Sequence, residues 1–242
     1  MTEYTHENAA AIWDRIGSIV SRVPGWSPAE ELFSLYHLAL LAPGNNPAML
    51  EVGSWCGRST AALALAMEQR AGSVDAVDLF PERDDWRRNA DGSYSFEVRI
   101  GTRHYGAYNE QRVWAEPYER DIVPVYARFA GILEAFTTHL ADEGLSHRVS
   151  AFRGDLTDFL ASGSSRAAYQ LVFLDGDHGY EAVCNDIRYS ESVLAPGGWL
   201  AFDDAFTVYD GVDKAIRDLV IASGRYESGT QLTRKMFAAR RR

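Results

Sequence analysis

The sequence predicts an α/β fold in which a mostly parallel sheet is covered by helices on both faces. Short, continuously apolar runs alternate with longer stretches whose apolar residues have helical spacing. Such runs are typical of strands that are buried on both faces, and the alternation is typical of βαβ units. The predicted strands are 49–52, 74–77, 149–152, 171–174 and 199–202.

A closing hairpin is predicted at the end of the chain. Residues 211–223 have the pattern of a helix. Two further strands, 225–230 and 232–239, are predicted after it, joined by a turn near Gly229. The hairpin brings the predicted sheet to seven strands, of which only the last is expected to be antiparallel.

Composition limits the classes of function. Hydrophobic residues make up 46% of the 242 residues and charged residues 24%, which is ordinary for a globular chain. The formal net charge of −10 disfavours nucleic acid and anionic membranes as partners. The two cysteines, Cys56 and Cys184, lack the spacing of a metal site or a disulfide framework. Without a signal-peptide pattern or a long apolar run, we expect a soluble, cytoplasmic protein.

Acidic residues stand at the predicted ends of all five strands. The carboxyl ends of parallel strands meet at one edge of a sheet, where ligands bind, so these residues are expected to share a site. The alternative is that polar residues merely terminate apolar strands, which explains one or two positions but not five. The residues are Glu51, Asp78, Asp155, Asp175 and the pair Asp203-Asp204.

A glycine turn follows the first strand, in the run E-V-G-S-W-C-G-R-S-T at 51–60. Gly53 permits a turn that is closed to residues with a Cβ, and Gly57 is expected to let a ligand approach the backbone. With Ser54 in the turn, Ser59 and the start of the next helix are suited to an anionic group. The run has neither G-x-G-x-x-G nor a P-loop lysine. It therefore suits a ligand with a carboxylate and no phosphate, such as S-adenosylmethionine; the alternative is a tight turn without a ligand.

Asp78 ends the second predicted strand, about 20 residues after the glycine turn, where nucleotide-binding α/β folds carry a ribose-binding acid. A carboxylate in this place accepts hydrogen bonds from a ribose diol. The alternative is an aspartate that only caps its strand.

Two parts of the chain together resemble a known family. The run 51–60 is similar to motif I of the small cation-dependent O-methyltransferases, of which catechol O-methyltransferase is a familiar member. The runs L-D-G-D-H-G-Y-E at 174–181 and L-A-P-G-G-W-L-A-F-D-D at 194–204 are closer to the macrocin O-methyltransferase type and its sugar- and antibiotic-modifying relatives. The resemblance covers about 47–78 and 148–237. It implies a class I S-adenosylmethionine-dependent methyltransferase with a Rossmann-like seven-stranded sheet.

The resemblance also implies a metal site. In this family the aspartate after the fourth strand and the acidic pair after the fifth hold magnesium, which corresponds to Asp175, Asp203 and Asp204. Independently, three converging carboxylates repel one another, and a hard divalent cation relieves that repulsion. The alternative is a pair of solvated loops whose acids bind backbone amides.

Two neighbouring residues are candidates for the general base. Asp177 matches the position of the base in some sugar- and antibiotic-modifying relatives. His178 lies three residues after the first metal aspartate, where catechol-type enzymes place a lysine, and histidine exchanges protons near neutral pH. Both stay open, with Asp177 preferred, and His178 has the further alternative of a structural role in its turn. Relatives also imply that Asp155 contacts the adenine.

Two segments stand outside the alternation of strands and helices. Residues 1–46 contain two predicted helices, over 6–22 and about 27–41. Residues 80–118 combine many aromatic residues with six arginines and show no clear periodicity. A long segment of this kind is typically functional. We expect one methyltransferase domain over 1–242, with 1–46 as an N-terminal helical cap and 80–118 as an insertion over the active site.

We expect an O-methyltransferase that uses S-adenosylmethionine and Mg²⁺, or another divalent cation, on a hydroxyl of a sugar-bearing or phenolic small molecule. The aromatic residues of the insertion suit rings or sugar faces, and its arginines suit an anionic group. The alternatives are a metal-independent methyltransferase and a non-catalytic S-adenosylmethionine-binding protein of the same fold. A nicotinamide-dependent oxidoreductase is disfavoured because its motifs are missing. The assembly is expected to be a homo-oligomer that binds neither nucleic acid nor membrane.

Overall fold

The computed structural model describes residues 6–107 and 112–242, which fold around a sheet whose strands are joined by helices. The strands are β1 Ala48–Val52, β2 Ser73–Asp78, β3 Trp86–Arg88, β4 Tyr94–Ile100, β5 Arg103–Ala107, β6 Val149–Arg153, β7 Tyr169–Leu174, β8 Leu194–Phe202, β9 Tyr226–Gln231 and β10 Phe237–Arg241. The helices are α1 His6–Arg22, α2 Ala29–Leu40, α3 Arg58–Arg70, α4 Ala115–Pro117, α5 Val123–Arg128, α6 Ile132–Asp142, α7 Leu156–Ala161, α8 Tyr180–Val193 and α9 Asp210–Ala215. Among the described residues, none of the helices combines the length and apolarity that a membrane span needs.

Seven of the strands form one sheet in the order β6-β2-β1-β7-β8-β10-β9. The first five of these strands pair in parallel. Strand β10 lies between β8 and β9 and is antiparallel to both. Six strands therefore run in one direction and β10 alone runs in the other, which confirms the predicted sheet.

The turn of the closing hairpin does not lie near Gly229, so this part of the sequence prediction is wrong. Gly229 lies inside β9, and the chain turns over 232–236 instead. A Cβ at Gly229 would come within 3.2 Å of the Phe237 ring on the neighbouring strand. The glycine therefore makes room for a cross-strand aromatic ring and does not mark a turn.

Alternate residues of the central strands face two separate apolar layers. In β1, Met49 belongs to a cluster with residues of α1, α2, α3 and α6. Its neighbour Leu50 belongs to a cluster with residues of α7, α8 and α9. Because successive side chains of a strand point to opposite faces, this division shows that helices cover both faces of the sheet. Residues that leave the strands at the edge are thus held by a core on either side.

The segment 80–118 is more regular than its sequence suggested. Strands β3, β4 and β5 form a small antiparallel sheet. In β4 the apolar residues Phe96 and Val98 are buried, whereas Glu97 and Arg99 between them are exposed. The expectation of no periodicity is wrong, because 94–100 has the alternation of a half-buried strand. Residues 108–111 of this segment lie outside the described part of the chain.

Helices α1 and α2 pack on the face of the sheet that carries α3. Arg15 and Arg22 of α1 form ion pairs of 2.9 and 2.7 Å with Glu143, whose side chain is buried just after α6. Residues 1–5 of the expected cap lie outside the described residues. Whether the chain is one domain stays a prediction.

Candidate active site

The carboxyl ends of the parallel strands lie side by side at one edge of the sheet. Asp175 N donates a hydrogen bond to Val52 O at 2.8 Å. One strand further along, Asp203 N donates to Leu174 O at 3.0 Å. The hydrogen-bonded ladder thus continues one residue past each strand, and it fixes the acidic residues after β7 and β8 beside the turn after β1.

A cavity of about 830 Å³ opens at this edge. Small-molecule sites have volumes of roughly 300–1,000 Å³, so the cavity is of suitable size. Ten site residues predicted from the sequence line it: Gly53, Ser54, Ser59, Asp78, Asp155, Asp175, Asp177, His178, Asp203 and Asp204. Glu51 and Gly57 are not among the residues that line it, so any effect they have on a ligand is indirect.

The turn after β1 is built on two glycines with left-handed backbone. Gly53 has φ +90°, and a Cβ there would overlap the backbone oxygen of Asp175. Gly57 has φ +89° and precedes the first residue of α3. A Cβ at Gly57 would face the Phe136 ring of α6 at 3.1 Å. The expectation that Gly57 admits a ligand is therefore corrected: it admits the aromatic ring that packs on the turn.

Replacing Gly53 with alanine is expected to lower the free energy of unfolding by about 2–3 kcal/mol, because the new methyl group meets backbone as well as an unfavourable φ. Gly44 is the matched control, since it has φ +83° and open space around its Cβ position. G44A should lose less than about 1 kcal/mol in urea-induced unfolding. Equal losses in the two variants would show that the contact between β1 and β7 at this turn is looser than described.

Glu51 is a fully buried carboxyl group beneath the glycine turn. Its Oε2 accepts a hydrogen bond from the Thr60 hydroxyl. Burial raises the pKa of Glu51 to about 7, although hydrogen bonds from neighbouring hydroxyl groups oppose the shift. Glu51 therefore supports the turn from behind the cavity.

The variant E51Q is expected to change how stability depends on pH. The pKa of Glu51 is about 7 in the folded protein against an ordinary value of 4.5, so its contribution is most favourable below pH 4.5 and is lost as the pH rises through 7. The loss amounts to about 3 kcal/mol at most. Thermal unfolding should find E51Q more stable than the wild type at pH 8 and similar near pH 4.5. A constant difference across this range would contradict the assignment.

Asp78 is the last residue of β2 and lines the cavity. Its Oδ2 accepts a hydrogen bond from Trp55 N at 2.9 Å, and its Oδ1 accepts one from Phe80 N at 2.5 Å. Burial raises the pKa of Asp78, and these backbone donors oppose the shift. A carboxylate oxygen can accept a second hydrogen bond, so Asp78 retains acceptor capacity toward the cavity.

Asp155 joins the cavity to the small antiparallel sheet. Its Oδ1 accepts a hydrogen bond from Asp158 N at 2.8 Å and caps α7. Asp158 in turn accepts a hydrogen bond from the Tyr105 hydroxyl and pairs with Arg103, both on β5. His104 and Tyr105 line the same cavity as Asp155. Part of the segment 80–118 therefore borders the cavity.

Asp175, His178 and Asp204 form a compact group where β7 and β8 end. One possible ligand atom from each residue lies within 4.8 Å of the other two. His178 Nε2 is 3.1 Å from Asp204 Oδ2 but is not aligned for a hydrogen bond. Asp204 has φ +53°, a left-handed backbone that is uncommon outside glycine, although aspartate adopts it more readily than most residues, and that is found repeatedly at functional sites.

Asp203 does not join this group and pairs with Lys235 instead. Lys235 Nζ lies 2.7 Å from Asp203 Oδ2, 3.4 Å from Asp204 Oδ1 and 3.5 Å from Glu31 Oε2 on α2. The side chains of Lys235, Asp203 and Glu31 are only 10%, 4% and 2% exposed. A buried ammonium group, which the sequence analysis missed, thus neutralises one side of the acidic cluster.

Burial and neighbouring charges govern protonation in this cluster. Burial raises the pKa of Asp175 well above its usual range, and the charge of Asp203 adds to the rise. Burial also raises the pKa of Asp203. At Asp204 burial acts in the same direction, but His178 and Lys235 outweigh it and lower the pKa. Burial alone would lower the pKa of Lys235, but the surrounding aspartates raise it, so its ammonium group stays charged.

Asp177 and Asp186 are two further carboxylates at the cavity surface. Asp177 Oδ1 accepts a hydrogen bond from Gly179 N at 2.7 Å, which fixes one of its oxygens. Burial raises the pKa of Asp186, on α8, to about 7, and Asp155 and Asp177 contribute to the rise. Asp186 was not predicted from the sequence, because a single aspartate within a helix carries no local signal.

The aromatic residues of the segment 80–118 pack largely against one another. Tyr94 stacks on Tyr118 with the ring centroids 3.7 Å apart. Trp86 meets Tyr118 edge to face at 5.2 Å. By contrast, Trp26 and Trp55 line the cavity, with their rings 5.5 Å apart. Aromatic side chains of the cavity lining therefore come both from this segment, as Phe96, Tyr105 and Trp114, and from outside it.

Several arginines of the same segment are paired with carboxylates of the chain. These pairs are Arg87 with Glu97, Arg103 with Asp158 and Arg112 with Asp91. Their charges are compensated within the protein, so they lend no support to an anionic group on the substrate.

The strand order and the site together define a class of protein. Six parallel strands with one antiparallel strand inserted beside the last, a glycine turn after the first strand and an acid after the second make up the class I methyltransferase fold. A family model for a methyltransferase domain matches residues 50–205. The chain belongs to this methyltransferase family.

Solved structures of several methyltransferases share the fold. The O-methyltransferase NovP matches with a TM-score of 0.61 at 14% identity, over 96% of this chain and 97% of NovP. The O-methyltransferase from Bacillus cereus, in complex with S-adenosylhomocysteine (SAH), matches with a TM-score of 0.54 at 13% identity. The match covers 100% of this chain and 94% of that protein. CalS11, a TDP-rhamnose 3'-O-methyltransferase of calicheamicin biosynthesis, matches with a TM-score of 0.52 at 15% identity. The match covers 99% of this chain and 96% of CalS11. At these identities the likeness establishes the fold.

Proposed function

We propose that the protein transfers a methyl group from S-adenosylmethionine to a hydroxyl group of a small molecule, with the help of a divalent cation. The observation that carries this proposal is one cavity whose lining combines two chemically different groups of residues. Gly53, Ser54 and Asp78 line it together with the carboxylates of Asp175 and Asp204. A methyl donor and a hydroxyl acceptor can thus meet in the same enclosed space.

Support for the donor site comes from the residues around the glycine turn. Asp78 has acceptor capacity left for the two hydroxyl groups of a ribose. The start of α3, a helix of 13 residues, carries Ser59 and suits the donor's carboxylate. The Bacillus cereus O-methyltransferase, which has the same fold, was solved in complex with SAH.

Asp78→Ala is expected to weaken binding of S-adenosylmethionine by roughly 1–3 kcal/mol, or about 5- to 150-fold, because ribose hydroxyls are left unpaired in a closed site. Asp75→Ala is the matched control. Asp75 lies in the same strand and is buried, but it bonds Tyr169 and Arg166 and does not line the cavity. Calorimetry should find near wild-type affinity in D75A. Unchanged affinity in D78A would show that the donor lies elsewhere.

The acidic group fits a divalent cation. Ligand atoms within 4.8 Å of one another can converge on one ion, since metal–oxygen distances of about 2.1 Å place neighbouring ligands about 3 Å apart and opposite ones about 4.2 Å apart. Asp175 and Asp204 would hold the ion. When bound, it supplies a Lewis acid that makes an acceptor hydroxyl more acidic.

Asp177 is proposed as the general base. It lies at the cavity surface two residues from Asp175, and the Gly179 N–H holds one of its oxygens in place. Its carboxylate can take the proton of an acceptor hydroxyl as the methyl group is transferred. His178 is less suited to this task because its ring is buried between Asp204 and Tyr209.

The acceptor is proposed to be a sugar-bearing or phenolic metabolite. Trp26 and Trp55 line the cavity with their rings 5.5 Å apart, and aromatic rings suit a sugar or a phenolic ring. CalS11, which shares the fold, acts on TDP-rhamnose.

Transfer of radiolabelled methyl groups from S-adenosylmethionine to a panel of hydroxylated sugars and phenols tests the proposal. We expect turnover with some of these acceptors, loss of turnover after dialysis against EDTA, and recovery on addition of a divalent cation. Full turnover in EDTA would contradict the metal-dependent mechanism and leave a metal-independent methyltransferase. Transfer only to nitrogen acceptors in a matched amine panel would contradict the choice of hydroxyl.

A further inference from the structure

The carboxylate of Asp203 is already engaged by a cation of the chain itself. Its Oδ2 lies 2.7 Å from Lys235 Nζ, and both side chains are at least 90% buried. Within the described part of the chain its other oxygen, Oδ1, is buried without a hydrogen-bond partner, but it does not belong to the compact group around Asp204. An ammonium group and a divalent ion repel each other, so Asp203 is poorly placed to serve both.

His178 is in the opposite situation. Its side chain is 10% exposed, and both ring nitrogens are buried without a hydrogen-bond partner among the described residues. A neutral imidazole has one donor and one acceptor nitrogen, and burying either without a partner is unfavourable. The ring is held by stacking on Tyr209, with centroids 4.3 Å apart and planes inclined by 7°. A metal ion would satisfy the nitrogen that faces the carboxylates.

The separations agree with a shared ion. His178 Nε2 and Asp204 Oδ2 are 3.1 Å apart, close to the spacing of neighbouring ligands on an octahedral ion, which is about 3 Å. Asp175 completes the group, with its ligand atom within 4.8 Å of the other two. Lys235 Nζ lies nearer to Asp203 Oδ2, at 2.7 Å, than to Asp204 Oδ1, at 3.4 Å, and the Asp204 oxygen beside His178 is the other one, Oδ2. Asp175 and Asp204 can therefore balance the charge of a divalent ion, while Asp203 is the nearest counter-ion of Lys235.

We propose that the third protein ligand of the metal is His178 and not Asp203, so that the site consists of Asp175, His178 and Asp204. This inference rests on the proposed metal dependence. An imidazole ligand favours first-row transition ions, whereas an all-carboxylate site favours magnesium. The site is therefore better suited to Fe²⁺, Co²⁺ or Zn²⁺ than to Mg²⁺, and Mn²⁺ serves as its spectroscopic probe. Ligation by His178 also removes it from the competition for general base and leaves Asp177.

Pulsed electron paramagnetic resonance with Mn²⁺ alone, in the absence of S-adenosylmethionine, tests the ligand directly. The wild-type protein should show ¹⁴N coupling from one imidazole. His178→Gln should lose this coupling and bind Mn²⁺ more than about tenfold more weakly, since even outer-shell partners of a metal ligand contribute 10- to 100-fold. His104→Gln is the matched control, because His104 also lines the cavity but pairs with Glu97 outside the group. It should keep both the coupling and the affinity.

Asp203→Asn provides the complementary comparison, and it should keep the ¹⁴N coupling. Mn²⁺ binding without ¹⁴N coupling, or coupling that persists in H178Q, would overturn the assignment of His178 but leave the metal-dependent function intact. Failure of the wild type to bind Mn²⁺ would overturn the assignment and the metal dependence together. Binding of S-adenosylmethionine, measured separately, would still stand in that case.

Discussion

Replacing Asp177 with asparagine is expected to lower kcat for methyl transfer by about 10²- to 10⁴-fold, the usual contribution of a general base. Asparagine keeps an oxygen for the hydrogen bond from Gly179 N, so the turn after β7 should persist. The affinity for S-adenosylhomocysteine should stay within about twofold, since Asp177 is assigned to the acceptor and not to the donor. The limb of the pH–rate profile that reports the base should disappear.

Asp186→Asn is the matched control for the base. Asp186 lines the same cavity, and its pKa of about 7 makes it the competing carboxylate. If Asp177 is the base, D186N should retain most of its kcat and the shape of its pH profile. A large loss in D186N together with a small loss in D177N would transfer the role to Asp186.

Lys235→Met is expected to lower the free energy of unfolding by about 3–5 kcal/mol at pH 8, because it leaves buried carboxylates without their counter-ion. Asp203 lies 2.7 Å from the ammonium group and Glu31 lies 3.5 Å from it, and both are buried. Burial raises the pKa of Glu31 to about 7, so part of the cost should be relieved by protonation as the pH falls. The loss should therefore be smaller at pH 5, as measured by urea unfolding in EDTA.

The double variant K235M/D203N separates charge from packing. If the loss comes from an uncompensated carboxylate, removing the charge of Asp203 should restore most of the stability lost in K235M. A double variant as unstable as K235M would mean that the packing of the lysine stem carries the effect. A K235M protein as stable as the wild type at pH 8 would contradict the buried ion pair itself.

The strand-end acids could be found from the sequence because a parallel sheet brings every carboxyl end to one edge. Asp78, Asp175 and Asp204 each follow an apolar run, and the rule that ligands bind at that edge was sufficient to group them. The left-handed backbone of Gly53 was likewise expected, since the turn after the first strand has little space. The number of strands and the antiparallel direction of the last one followed from the resemblance and from the hairpin pattern near the end of the chain.

Contacts between distant elements were not predictable in the same way. Lys235 reaches Asp203, 32 residues earlier, only because β10 is inserted between β8 and β9. Glu31 joins the same cluster from α2, and no local pattern links a helix near the start of the chain to the edge of the sheet. The proposal that His178 and not Asp203 binds the metal depends on these two contacts.

The sheet formed by β3, β4 and β5 was missed for a different reason. Residues 94–100 alternate between apolar and polar side chains, and this signal was present in the sequence. It was obscured by the surrounding aromatic residues and arginines. The aromatic residues mostly serve packing within the segment, as the stacked pair Tyr94 and Tyr118 shows.

The most direct test of the account is calorimetric titration of S-adenosylhomocysteine into metal-free protein, because it requires no knowledge of the acceptor. The account predicts one site per chain, an affinity that changes little when a divalent cation is added, and a loss of roughly 5- to 150-fold in D78A but not in D75A. No binding of S-adenosylhomocysteine or S-adenosylmethionine, with or without the cation, would contradict the central claim that the cavity at the edge of the sheet is a methyl-donor site.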